Sequence, residues 1–127
     1  MKKITFSLFF LAFLTAAQTP CVNGFADIYP CDNYDLLSHI SLNTLAGNGT
    51  EGNDSWGWTD PNTQKEYALM GINKGVVFID ITNPLTPIIL GTLKTSTVNS
   101  SWRDIKVYKD YAFIVSEALN HGMQVFD

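Results

Sequence analysis

"WTDPNTQKEYALMGINKGVVFID", Trp58 to Asp80, laid over "WRDIKVYKDYAFIVSEALNHGMQVFD", Trp102 to Asp127, decides how this chain is read. Trp, Asp, Lys, Tyr and Ala coincide at an offset of 44 residues, and Glu66 meets Asp110. Further on, "GVVFID" (Gly75 to Asp80) meets "GMQVFD" (Gly122 to Asp127) at an offset of 47, the three extra residues falling between Glu117 and Asn120, where a hairpin loop takes an insertion. Trp58, Asp60, Tyr67 and Asp80 thus recur as Trp102, Asp104, Tyr111 and Asp127. A period in the forties made of short strands is the signature of radial all-β repeats, each unit a small antiparallel sheet of about four strands.

The strand signals agree with the period. "EYALMG" (66–71) and "GVVFIDI" (75–81) are β-rich runs separated by a hairpin-length connection. Asn83-Pro84 and Pro87 turn the chain before the next run, "IILGTLK" (88–94). "WRDIKVY", "YAFIVSE" and "GMQVFD" repeat the first strands of the unit. Val76 to Ile79 and Ala112 to Val115 are continuously apolar, which predicts strands buried on both faces, as in a blade held between two others. The expected fold is therefore all-β, with antiparallel four-stranded blade repeats of a β-propeller-like domain. The first unit covers about 54–98 and the second about 99–127. After Asp80 the first unit continues into "PIILGTL", and Asp127 is the aligned position of the second. Fewer than two blades are then present, and the sequence is expected to be the front piece of a longer chain.

Upstream of the repeats, residues 1–17 carry Lys2 and Lys3, an apolar stretch from Ile4 to Leu14 and the small residues Thr15, Ala16 and Ala17. That layout reads as a cleaved secretory signal, since 11 apolar residues are too few for a bilayer about 30 Å thick. Removing it takes two of the eight basic groups and none of the twelve acidic ones, leaving a net charge of −6. An acidic surface without a basic cluster argues against nucleic acid and anionic lipid as partners. Residues 18–53 form an N-terminal segment holding Cys21 and Cys31, which are expected to pair in an oxidising compartment. The chain-entropy relation gives a loop this short a stabilisation of about 2.5 to 3 kcal/mol. Free thiols or a metal site sharing Asp27 and Asp32 are the alternatives.

"CVNGFADIYPCDNYDLLSHI", "GVVFIDITNPLTPIILG" and "WRDIKVYKDYAFIVSEALNHGMQVFD" resemble the N-terminal part of the choice-of-anchor B family, secreted proteins built of LVIVD-type repeats and sometimes labelled as containing a regulatory P domain. The glycine, apolar strand, aspartate, Asn-Pro turn and second strand ending in glycine match that repeat pattern. The resemblance implies a β-propeller-like domain of several blades on an exported protein, without a settled enzymatic activity.

Candidate chemistry is sparse. Glu117 and His121 in "SEALNHGMQ", near Asp104 and Arg103, offer a carboxylate and an imidazole that can bind a divalent metal or act as acid and base; the plainer reading is that they shape the turn. "AGNGTEGNDSWGWTD" (46–60) offers Glu51, Asp54 and Asp60 to calcium without EF-hand spacing, and reads more simply as a surface loop. The recurring Trp58 and Trp102 are expected to pack between blades, with Asp60 and Asp104 accepting bonds from turns. No Ser-His-Asp set, phosphate loop or zinc spacing can be assembled. Two functions remain: a secreted or cell-surface binding or scaffolding module with a protein or glycan partner, or an extracellular hydrolase or metal-dependent enzyme with its site at the propeller mouth.

Overall fold

The computed structural model describes residues 18–127, so the signal-peptide reading of residues 1–17 lies outside the described residues. Near the N-terminus, β1 (Phe25–Ala26) and β2 (Tyr29–Pro30) form a small hairpin, with Asn23 and Asp27 in the left-handed region and Cys21 bonded to Cys31 across it, Cα atoms 5.9 Å apart. A disulfide is compatible with an extracellular protein. No described helix is long and apolar enough to cross a membrane. The single turn and a half of α1 (Leu42–Ala46) begins where the Ser41 hydroxyl accepts the Thr44 amide at 3.1 Å, satisfying one of the helix's free donors.

Two antiparallel meanders follow. The first, β3 (Gly52–Thr59), β4 (Glu66–Ile72), β5 (Gly75–Asp80) and β6 (Ile88–Lys94), is a four-stranded sheet in sequence order. The second, β7 (Arg103–Tyr108), β8 (Tyr111–Ser116) and β9 (Met123–Phe126), has three strands in sequence order. Neither sheet closes on itself. The all-β reading holds, and strands expected at 66–71, 75–81 and 88–94 lie within a residue of those bounds. The surface loop expected over 46–60 is corrected: Gly52–Thr59 is a strand paired along β4, because Ser55, Trp56 and Trp58 find ladder partners in Met70, Leu69 and Tyr67.

Pairing also corrects the register of the repeat. Tyr67 opposes Trp58, whereas Tyr111 opposes Tyr108, so the structural equivalent of Trp58 is Tyr108 and not Trp102. The cause is the connection: residues 60–65 separate β3 from β4, but only Lys109 and Asp110 separate β7 from β8. Downstream the aligned positions agree with the ladders, since Leu69 pairs with Phe78 as Phe113 pairs with Val125.

The sheets stack head to tail. Leu69 and Val76, with Trp58, Phe78 and Leu93, pack against Ile105, Ala112 and Ile114 of the second sheet. The reverse face of the first sheet, Ile72, Val77 and Ile79, is covered by Ile40, Leu45 and Ala46. Val76 to Ile79 is thus enclosed on both sides, as its unbroken apolar run predicts. Ala112 to Val115 departs from that expectation: Ala112 and Ile114 are buried, but Val115 is 41% exposed, because no described element covers the outer face of β8. Backbone contacts between the sheets are held by polar side chains. Asp54 Oδ2 accepts the Ile105 amide at 2.7 Å, and Asn53 Nδ2 donates to the Arg103 carbonyl at 3.1 Å.

Candidate functional site

Two regions carry features beyond packing, at opposite ends of the stacked sheets. The first is built by the loops after β6 and β8. Alternation along "RDIKV" places Arg103, Ile105 and Val107 on the inner face of β7 and Asp104 and Lys106 on the outer one. A shallow cleft of about 460 Å³ gathers Asp54, Asp104, Arg103 and Glu117. Lys106 Nζ lies 2.9 Å from Asp104 Oδ1, 3.9 Å from Asp54 Oδ2 and 4.4 Å from the centre of the Trp56 ring. The hydrogen bond to Lys106 is the main reason the Asp104 carboxyl sits below its usual range, and the same bond raises Lys106.

His121 is not part of that cleft. Its ring is 7% exposed, with Nδ1 2.9 Å from Thr97 Oγ1 and 3.5 Å from Thr95 Oγ1, while Glu117 is exposed and held by its backbone amide donating to the Trp102 carbonyl. The geometry does not assemble the Glu117–His121 candidate that stood beside the plainer turn-shaping reading: Glu117 and Asp104 are exposed, and the imidazole is buried under the loop. Burial, with the Arg103 charge behind it, lowers the His121 pKa. Arg103, 4% exposed, is the residue whose burial the sequence reading did not anticipate; its place on the same alternation as Ile105 and Val107 was the available signal.

The calcium candidates are also dispersed. Glu51 accepts the Ser101 hydroxyl, Asp54 accepts the Ile105 amide, and Asp60 accepts the Asn62 amide at 2.8 Å and the Thr63 hydroxyl at 2.5 Å. Glu51 and Asp60 flank the eight residues of β3, a span of roughly 26 Å at the usual rise. Among the described residues no three His, Cys, Asp or Glu side chains gather as a metal site. Asp60, lowered chiefly by its Thr63 hydrogen bond, caps its turn as expected, whereas Asp104 lies within β7 and caps none. Asp80 is lowered chiefly by Thr82, whose amide it accepts at 2.9 Å, and Lys65 is 3.8 Å away. The expected inter-sheet packing of Trp102 is corrected too. At 65% exposure it stands in solvent just before β7, displaced from the Trp58 position by the shorter turn.

The second region is an apolar groove of about 660 Å³ between the sheets, floored by Trp58, Phe78, Leu90, Leu93, Val107 and Phe126. Trp58 stacks on Tyr67 with centroids 5.5 Å apart, and Phe78 meets Phe126 at 4.7 Å. Asp60, Asp110 and Asp127 rim it. It runs beside the edge of β9 that has no partner strand among the described residues, over β6 of the first sheet. Beyond it, the outer face of the second sheet shows Tyr111 at 44%, Met123 at 57% and Val125 at 52% exposure. No protein family, curated protein or solved structure was found to match this chain.

Proposed function

We propose that this protein is an exported or cell-surface binding and scaffolding module, whose propeller-type blades engage a protein partner by stacking a sheet and adding a strand. One observation carries the reading. Leu69, Val76 and Phe78, the face that the first sheet buries, are the repeat equivalents of Phe113, Met123 and Val125, which lie on the outer face of the second. The surface that is core in one unit is therefore left uncovered by the described residues in the next. Apolar surface of this kind, with open backbone donors and acceptors along β9, suits a β-rich protein better than a glycan. The disulfide is compatible with an extracellular setting, and the resemblance to LVIVD-repeat proteins supports blade-like units.

The slot beside β5 in the first sheet is occupied by β6, so a strand of β6 chemistry is the probe. A peptide of residues 84–95, "PLTPIILGTLKT", titrated onto the chain is expected to shift Trp58 fluorescence and to protect the outward amides of β9 from deuterium exchange. A peptide with aspartate at the positions of Ile89 and Leu93 is expected to do neither. Equal protection by both peptides, or none by either up to the solubility limit, would overturn the strand-addition reading.

A further inference from the structure

We infer that a second copy of this chain docks on the outer face of the second sheet through the reverse face of its own first sheet, and that residues 40–50, which cover that reverse face, gate the assembly. This docking rests on the sheet-stacking part of the partner reading and is separate from strand addition at β9. The two sheets are equivalent position by position. Ala68 and Met70 match Ala112 and Ile114 at the offset of 44, and Val77 and Ile79 match Gln124 and Phe126 at 47. In the second unit these four positions make the face that sits on the first sheet: Ala112 and Ile114 are buried with Leu69 and Val76, Gln124 Nε2 donates to the Lys94 carbonyl at 3.1 Å, and Phe126 meets Phe78. In the first unit the same four positions lie on the reverse face, beside Ile72. The first sheet therefore carries a copy of the stacking face, and Phe113, Met123 and Val125 of the second sheet carry a copy of its seat. Leu, Val and Phe in the original seat become Phe, Met and Val in the copy, which keeps its apolar volume.

A polar contact repeats with the apolar ones. Asp54, which ties the sheets by accepting the Ile105 amide at 2.7 Å, precedes Ser55, the ladder partner of Met70; Asp104 precedes Ile105, the ladder partner of Ile114. Asp104 is thus the repeat equivalent of Asp54, exposed on the outer side of β7, where it would accept the Ser55 amide of a docked copy. In the free chain it holds Lys106 instead, at 2.9 Å. Stacking by this operation runs head to tail, so each added copy presents a new seat and the assembly is open. The segment over the reverse face blocks it. Ile40, Leu45 and Ala46, each half-buried, pack on Ile72, Val77 and Ile79. With five residues and no buried side chain, α1 is too short to be stable by itself. The segment is fastened from the β4–β5 turn: Lys74 Nζ donates to the Ala46 carbonyl at 3.1 Å, the Asn48 carbonyl at 2.9 Å and Thr50 Oγ1 at 3.2 Å. These bonds can open without unpairing a strand.

The test is sedimentation of Lys74→Met as a function of concentration. Methionine keeps the apolar stem and loses the three bonds, which is expected to raise the fraction of chains with the segment lifted by roughly tenfold or more. Wild type is expected to stay monomeric where Lys74→Met forms dimers, trimers and longer species. Adding Met123→Asp and Val125→Asp to Lys74→Met is expected to return it to monomer, because both charges fall on the seat and leave the segment untouched. A monomeric Lys74→Met would overturn the docking, as would oligomers that survive the two aspartates, and wild type that assembles as readily as Lys74→Met would overturn the gate. Leu45→Ser loosens the same segment from its apolar side and reads the same outcomes if Lys74→Met does not fold. Strand addition fails or stands by itself: the peptide of residues 84–95 can protect β9 in chains that never assemble, and chains that assemble can ignore the peptide.

Discussion

Replacing Gly75 with alanine tests the fold at its tightest point. Gly75 opens β5 at φ +148°, outside the range that side-chain-bearing residues adopt readily, and a Cβ there would sit 2.0 Å from the Leu93 carbonyl oxygen and 3.0 Å from Lys94 Cα. Ordinary contact begins near 3.4 Å, so β6 would have to retreat by about 1.4 Å. Both obstructing atoms are backbone, and no rotamer change relieves them. Holding a non-glycine residue in such a conformation costs about 1 to 3 kcal/mol. Opening the ladder beside it weakens the Gly75–Lys94 pairing and the bond from the Thr95 amide to the Lys74 carbonyl, each worth about 0.5 to 1.5 kcal/mol. Together these give a loss of roughly 2 to 6 kcal/mol against a total stability of about 5 to 15 kcal/mol for a domain. Urea unfolding followed by circular dichroism reads the loss, and deuterium exchange localises it to β6. Two controls grade the argument. Gly122, the repeat equivalent, has φ +66° with nothing within 4 Å of the added Cβ, so alanine there is expected to cost about 1 to 2 kcal/mol from conformation alone. Gly91 has neither a positive φ nor a neighbour, and alanine is expected to change stability by less than about 0.5 kcal/mol. A Gly75→Ala protein within about 1 kcal/mol of wild type, or no worse than Gly122→Ala, would refute the reasoning.

The packing between the sheets and the buried imidazole give two further tests. Ile105 is fully buried between the sheets, and Ile105→Ala is expected to cost about 3 to 4 kcal/mol in urea, whereas Val125→Ala on the open face is expected to cost less than about 1 kcal/mol; equal losses would mean that the two meanders do not stack as described. Burial, and then the Arg103 charge, lowers the His121 pKa, so the unfolded chain takes up the proton first: stability is expected to fall as the pH drops below about 6.5, with a slope of at most about 1.4 kcal/mol per pH unit from this one ring. His121→Gln is expected to flatten that slope between pH 7 and 5, since the lowered Asp60 and Asp80 titrate below that window; an unchanged slope would show that the ring is not the group responsible.

Short-range pattern along the chain was enough to read the class of structure and its local rhythm. Short β-rich runs punctuated by Asn-Pro, proline and glycine fix antiparallel hairpins whatever surrounds them, and the glycine shared by Gly75 and Gly122 marks a backbone conformation in both units. The close spacing of Cys21 and Cys31 was enough to read their pairing. Which residues are equivalent and which meet became legible only from the folded sheets. Identical letters aligned Trp58 with Trp102, but ladder pairing follows turn length, and a two-residue turn moved Tyr108 into the place a six-residue connection gives Trp58. Glu117 and His121, four residues apart, could be read as one site or as side chains that shape a turn, and only the folded loop shows the ring buried and the carboxylate in solvent. Arg103 was read only as a neighbour of the Glu117 and His121 loop; its burial is set by which face of β7 lies against the first sheet. Local conformation is encoded within a few residues and can be read there. Burial and electrostatic isolation depend on contacts between segments 30 to 50 residues apart, such as Arg103 with Ile72 and Asp54 with Ile105, and exist only once the sheets are stacked.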